Sequence, residues 1–404
     1  MMNETAAVSP VEASPPPMTL MALFLKFLGF GALAFGGPVA QIAMLRQVLV
    51  ENERWIDKAR FNRLLAVLQA LPGPEAHELC VHMGMIARGR LGGLLAGLGF
   101  MLLGLLLMLI AGWAYVTWVA SDAGLSGVLL GIQIVVLAII LRAVMRIGQH
   151  IVENWLLGMV ATASLVVTLI GVPFWIPLVT GGLAYTVSHR PVALAVASVV
   201  AGAFALAVLV HVDASPSPLV KASGQASITA FALFLAGLKG GLLTFGGAYT
   251  AIPYVRADTV GRGWIGDATF IDGIALAGVL PAPLVIFATF VGYVAGGFTG
   301  ALAITAGMFL PAFAFSLVLF ERLEAVVENP AFHRALEGIA AAVVGIIAAT
   351  FLQLCQATGA RFSGYFLPIC LFAAALLLVW RFKGPCVTPA TIAVGAVTGW
   401  ILFS

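Results

Sequence analysis

The sequence predicts an all-α polytopic membrane protein built from two diverged copies of one intramembrane unit, and three observations predict it. Of 404 residues, 62% are hydrophobic and only 9% charged, against about 25% charged in an ordinary soluble domain; the mean hydropathy is +1.09. Apolar runs at residues 91–118, 125–141, 155–170, 192–212, 366–380 and 387–403 approach or exceed the roughly 20 residues that cross a bilayer as a helix. The chain also repeats itself. Lipid offers no water to unpaired backbone groups, so helices are the open-chain solution. About 11 to 14 membrane helices are expected, broken or re-entrant segments included.

Residues 1–18 hold Glu4, Glu12, Pro15, Pro16 and Pro17, the makeup of a disordered tail, and lack the basic stretch of a secretory signal. The first apolar segment is therefore expected to be retained. A first domain is expected over 19–212, a polar, Pro-containing linker over 213–227 and a second domain over 228–404. The repeat sets these bounds. Phe24-Leu25 falls on Phe234-Leu235, Phe35-Gly36-Gly37 on Phe245-Gly246-Gly247, Arg46 on Arg256, Trp55-Ile56 on Trp264-Ile265, Phe61 on Phe270, and Leu71-Pro72-x-Pro74 on Leu280-Pro281-x-Pro283. Transporter folds are often assembled this way. The loop Arg88-Gly89-Arg90 is basic, whereas its counterpart near 295–300 has no charge. Positive loops stay cytoplasmic, so the copies are expected in opposite orientations, an inverted repeat.

Many of the 45 glycines sit inside apolar runs, as at Gly92, Gly93, Gly97 and Gly99, where they let helices approach closely. Cys80, Cys355, Cys370 and Cys386 stand singly, which predicts free thiols without a zinc site or disulfide framework. Trp55 and Trp264 follow polar stretches and are expected to anchor at the interface.

Each copy carries two candidate helix breaks. One is Phe35-Gly36-Gly37-Pro38, matched by Phe245-Gly246-Gly247 followed by Ala248-Tyr249; the other is Leu71-Pro72-Gly73-Pro74, matched by Leu280-Pro281-Ala282-Pro283. Glycine tolerates angles closed to other residues, proline suits the first turn of a new helix, and the residue before proline is pushed from helical angles. Such motifs can merely kink helices. Both motifs in both copies at matching spacing point instead to helices that stop and restart. A restarted helix offers free N–H groups and the positive end of its dipole, an anion site without formal charge. The candidate substrate-binding residues are accordingly Phe35, Gly36, Gly37, Pro38, Pro72, Gly73, Pro74, Phe245, Gly246, Gly247, Tyr249, Pro281 and Pro283.

Polar residues beside the breaks extend that set to Gln41, Arg46, Arg256 and Lys239, since ionisable groups at membrane depth are functional candidates. For the arginines, snorkelling to the interface is the alternative. Glu75, Glu78 and His82 share a helix face and, with His77, could relay protons or equally lock this helix to its neighbours by hydrogen bonds. His77 and His82 stand five apart and diverge by about 140° around a helix, which excludes a metalloprotease-type zinc site. No metal or cofactor is expected. No P-loop, dinucleotide fingerprint or Cys-rich cluster is present, which argues against intrinsic ATP hydrolysis or electron transfer.

These motifs, namely Phe35-Gly36-Gly37-Pro38 with Gln41-Ile42-Ala43, Trp55-Ile56, Leu71-Pro72-Gly73-Pro74-Glu75-Ala76, and Leu243-Thr244-Phe245-Gly246-Gly247-Ala248-Tyr249 with Pro253-Tyr254-Val255, resemble the chromate ion transporter (CHR) family, especially its long two-domain bacterial members. The resemblance implies two CHR domains in opposite orientations and efflux of chromate across the bacterial inner membrane, giving chromate resistance, with sulfate as the related dianion. Expected partners are chromate, sulfate, the lipid bilayer and a second copy in a homodimer, with no nucleic acid. A carrier of sulfate or another oxyanion is the alternative. An integral-membrane enzyme fits less well, for want of a flavin, haem or thiol-pair signature. One departure stands out. Family second domains often show an acidic residue and Thr-Pro-Gly-Pro, where this chain has Gly278-Val279-Leu280-Pro281-Ala282-Pro283, so that acidic role does not carry over. The expected transport step is rocking of one half against the other around a midplane site.

Overall fold

The computed structural model describes residues 14–35, 37–119, 125–172, 175–188, 228–244, 248–319, 330–362, 364–382, 384 and 387–403. The expected linker, the apolar run 192–212, Cys386 and most of the amino-terminal tail lie outside them. Among the described residues there are fourteen α-helices and no strand: α1 Leu20–Ala32, α2 Gly37–Arg46, α3 Lys58–Ala70, α4 Glu75–Ala114, α5 Ser126–Ile151, α6 Trp155–Leu169, α7 Trp175–Val187, α8 Ala230–Leu242, α9 Ile252–Thr259, α10 Asp267–Val279, α11 Phe287–Ala314, α12 Pro330–Gly359, α13 Phe366–Arg381 and α14 Val387–Phe403. By length and composition, the helical stretches Glu75–Val119, Ser126–Ile151, Leu284–Val318 and Arg334–Gly359 can cross a membrane, and five of the remaining helices are apolar but shorter.

The repeat seen in sequence is a repeat in structure. Thr19 and Thr229, at corresponding positions, cap α1 and α8 by accepting from the amides of Ala22 and Ala232 at 3.2 and 3.1 Å, which satisfies one of the orphan donors each helix start leaves. Both α4 and α11 are hairpins. Arg88 and Gly89 (φ −145° and +64°) interrupt the first, and Gly296 and Gly297 (φ −140° and +64°) the second. In a straight helix residues eight apart are about 12 Å distant. Here a Cβ on Gly92 would overlap the Gly84 carbonyl, and one on Gly292 would crowd the Gly300 carbonyl at 2.6 Å. The chain reverses at each positive-φ glycine, where a side chain would be strained. A half-length arm (75–87 in the first half) thus folds back on a full-length one.

The return arms pack on α1 and α8 through glycine. Gly31 meets the Phe100 backbone as Gly241 meets that of Met308, and Gly99 meets the Phe24 carbonyl as Gly307 meets that of Phe234. Without a hydrophobic drive between helices in lipid, such close backbone approach is what favours association.

The remaining helices are exchanged between the halves. Gly131 on α5 closes on Gly395 and Gly399 of α14, and α13 also packs on α5. Reciprocally, Gly345 on α12 closes on Ala161 and Leu165 of α6, and Gly338 on Gly181 of α7. Among the described residues, α6 and α7 of the first half pack on the long helix α12 of the second, and α13 and α14 of the second on the long helix α5 of the first. Rocking of one sequence half against the other would have to separate these helices from backbone contact.

Trp55 also departs from expectation. It is buried, 1% exposed, donates from Nε1 to Glu53 Oε2 at 2.8 Å and packs edge-on against Phe27. A tight turn at Arg54 (φ +52°) folds the indole inward onto the core instead of leaving it at the interface. Trp264 is half-buried beneath the guanidinium of Arg262.

Candidate functional site

All four breaks exist, and they meet in crossed pairs. Helix α1 ends at Ala32, and α2 starts at Gly37, whose φ is +79°. Helix α3 ends at Ala70 and α4 restarts at Glu75, with Gly73 at φ +152° between them. In the second half α8 stops at Leu242, and the chain resumes as the 3-10 turn Ala248–Ala251 before α9. Helix α10 ends at Val279 and gives way, past Pro281 and Pro283, to the 3-10 turn Leu284–Ile286. Gly36, Phe245, Gly246 and Gly247 lie outside the described residues.

The Gly73 amide donates to the Thr244 carbonyl at 2.8 Å. Correspondingly, Gln41 donates from Nε2 to both Ala34 O at 2.8 Å and Ala282 O at 3.0 Å. Ala34 is the repeat partner of Thr244, and Ala282 that of Gly73. The glycine break of each half is therefore tied to the proline break of the other, once by main chain and once through a glutamine. Each proline break also rests on the opposite return arm: a Cβ on Gly73 would lie 3.3 Å from Ala312 Cβ, and one on Gly104 would overlap Ala282. Only a small residue fits at these crossings.

Beside this junction stands the expected acidic and histidine stripe. Glu75, His77, Glu78 and His82 are all buried. Among the described residues, neither carboxyl oxygen of Glu78 finds a hydrogen-bond partner. The His77 ring is enclosed by Phe309 and Phe313 from the other half, at centroid distances of 4.9 and 4.7 Å. The Glu78 carboxyl presses on Gly73, whose added Cβ would lie 2.5 Å from Oε1. An unpaired buried carboxyl costs free energy, which sets Glu78 apart beside the proline break.

The other expected residues are distributed differently. Phe35, Pro38 and Tyr249 are half-buried, Pro72 is partly exposed, and Pro74, Pro281 and Pro283 are buried. Lys239 pairs with Asp258 at 2.7 Å, an acid that also holds Arg262 at 3.1 Å. Arg256 bonds Asp267 at 2.7 Å and Gln353 at 2.8 Å. Arg46 lies 3.7 Å from Glu51, in an open pocket of about 350 Å³ with Arg54, Asp57 and Lys58. The structure thus brings the four breaks and the Glu78 stripe together, while Lys239 and Arg256 are held by acids beside them and Arg46 stands near one without bonding it.

Sequence reasoning passed over one buried polar network. Asp272 on α10 accepts from Tyr115 OH and Gln133 Nε2, each at 2.8 Å, and Gln133 Oε1 accepts from Arg361 at 2.9 Å. Lone polar residues inside apolar runs were the available signal; that they meet is a tertiary fact.

Broken helices from two related halves, converging inside an apolar bundle, define the architecture of a membrane transporter. The family described as Chromate transporter matches residues 21–187 and again 231–400. Over 97% of its length the chain is 52% identical to a chromate transport protein of Pseudomonas aeruginosa, covering 94% of that protein. It is 30% identical to a chromate transport protein of Cupriavidus metallidurans, over 87% of this chain and 86% of the relative. A probable chromate transport protein of Synechococcus elongatus is 27% identical over 96% of this chain and 97% of its own. No solved structure matches. The chain belongs to the chromate transporter family and is a multi-pass membrane transporter.

Proposed function

We propose that this protein exports chromate across the bacterial inner membrane and thereby confers chromate resistance, with the paired helix breaks as its substrate site. The observation that carries this reading is the crossed pairing of the breaks, Gly73 to Thr244 and Gln41 to Ala34 and Ala282. It gathers the four interruptions of two halves at one place, where restarted helices can turn amides and dipoles toward a tetrahedral dianion. The names of the relatives supply the substrate. In this reading the two domains, divided at 213–227, lie in opposite orientations, and the moving bodies are groups of exchanged helices. An inside-negative potential favours exit of a dianion by about 4.6 kcal/mol per 100 mV. Glu78, with Glu75, His77 and His82, is the proposed proton path, since its carboxyl sits directly against Gly73.

The test is chromate flux in proteoliposomes under imposed potential and pH gradients. Potential-dependent chromate movement, slowed by Gly37→Leu in protein that still inserts, is expected. Absence of chromate flux under every gradient would overturn the function. Unaltered pH dependence after replacing Glu78 and His82 by Gln would remove the proton path alone.

A further inference from the structure

Arg142 and Arg146 stand four residues apart on α5, a helix otherwise apolar from Val128 to Leu141 except for Gln133. Residues at this spacing share a face. Arg142 lies about 24 Å along the helix from Ser126 at 1.5 Å per residue, inside the depth of a bilayer core, and is half-buried, while Arg146 is exposed. Like charges so placed repel. Yet neither has an acid beside it among the described residues, unlike Arg46, Arg256 and Lys239.

Their location gives the pair a purpose. Val144, between them in sequence, and Leu243, just past the end of α8, border the same buried cluster around Tyr254. Tyr249, in the 3-10 turn that reopens the chain after that break, lies in the field of both guanidiniums. The site therefore offers two planar forks of N–H donors and a phenol at the point where a helix restarts. Guanidinium recognises tetrahedral oxyanions in bidentate fashion, and two of them match a double negative charge.

We propose that Arg142 and Arg146, together with Tyr249, form the charge-selective oxyanion element of the transport path. A dianion supplies the negative partner the arginines lack, and the Tyr249 hydroxyl supplies a neutral donor. This rests on the reading of the chain as an oxyanion carrier and assigns its selectivity to one helix of the first half facing one break of the second. The competing role is snorkelling at the interface, which lysine serves equally well.

The test uses full-length protein in detergent with chromate as the probe and chloride as control, read by isothermal titration and by thermal stability. Arg142→Gln and Arg146→Gln should each weaken chromate binding about ten- to hundredfold, the range of one charge-assisted hydrogen-bonding group. Arg142→Lys, which retains charge and fold, should still lose affinity measurably, and Tyr249→Phe should lose less. Wild-type affinity in a stably folded double Gln variant, or in Arg142→Lys, overturns the proposal and leaves the function standing. If the Gln variants unfold, Arg142→Lys decides the matter. A wild type that neither binds nor carries chromate overturns the function and this site with it.

Discussion

Replacing Gln41 by Leu separates two roles that this residue could have. Gln41 is 1% exposed, and its amide nitrogen is committed to Ala34 O at 2.8 Å and Ala282 O at 3.0 Å. Leucine has similar bulk and no donor, so the substitution opens little cavity and removes both bonds. Each carbonyl left without its partner in the interior costs about 1–3 kcal/mol, giving about 2–6 kcal/mol in all. The loss falls on the junction between the first-half glycine break and the second-half proline break. The assay pairs thermal unfolding in detergent, followed by intrinsic tryptophan fluorescence, with chromate titration of the fraction that remains folded. A clear fall in melting temperature with a partial loss of affinity in the folded fraction is expected, which makes Gln41 a positioning residue. An unchanged melting temperature with lost affinity would refute this and make Gln41 a direct ligand of the substrate.

Three further outcomes follow from the same geometry. Gly89 and Gly297 (φ +64° with ψ −161° and −158°) occupy a backbone region essentially confined to glycine, with open space where a Cβ would lie, so Val and Asn at either should both destabilise by about 1–3 kcal/mol through backbone strain alone; tolerance of either in thermal unfolding would count against the hairpin turns. Lys239→Met removes one of two cations on Asp258, whose side chain is 9% exposed, and should cost less than the about 3–5 kcal/mol of a fully orphaned buried charge. Adding Asp258→Asn should restore stability, and lost transport at undiminished stability would show Lys239 to be a substrate contact instead. Gly131→Leu should drive α5 from α14, because Gly395 and Gly399 occupy the space; two co-expressed halves, cut within 213–227, should co-purify as wild type and poorly with this change, and halves that never associate would disprove the exchange.

Residues legible in advance were those whose effect is local. Gly37, Gly73, Pro74, Pro281 and Pro283 mark breaks because positive φ and the proline ring act on their own backbone wherever they stand. The stripe of Glu75, Glu78 and His82 follows from helical spacing. Arg142, Arg146, Gln133 and Asp272 went unread, although each is polar in an apolar run, because no local pattern tells a residue which helix it will face.

The amino-acid sequence alone determined the solvent, the helical class, the twofold repetition and where the chain would be interrupted, since hydrophobicity, glycine and proline exert their influence within a few residues. Tertiary structure alone decided that glycine breaks join the proline breaks of the opposite half, that α13 and α14 cross to α5 while α6 and α7 cross to α12, and that Trp55 turns inward. Those outcomes depend on contacts between residues far apart in the chain, where many partners of equal size and polarity compete and close backbone packing selects among them.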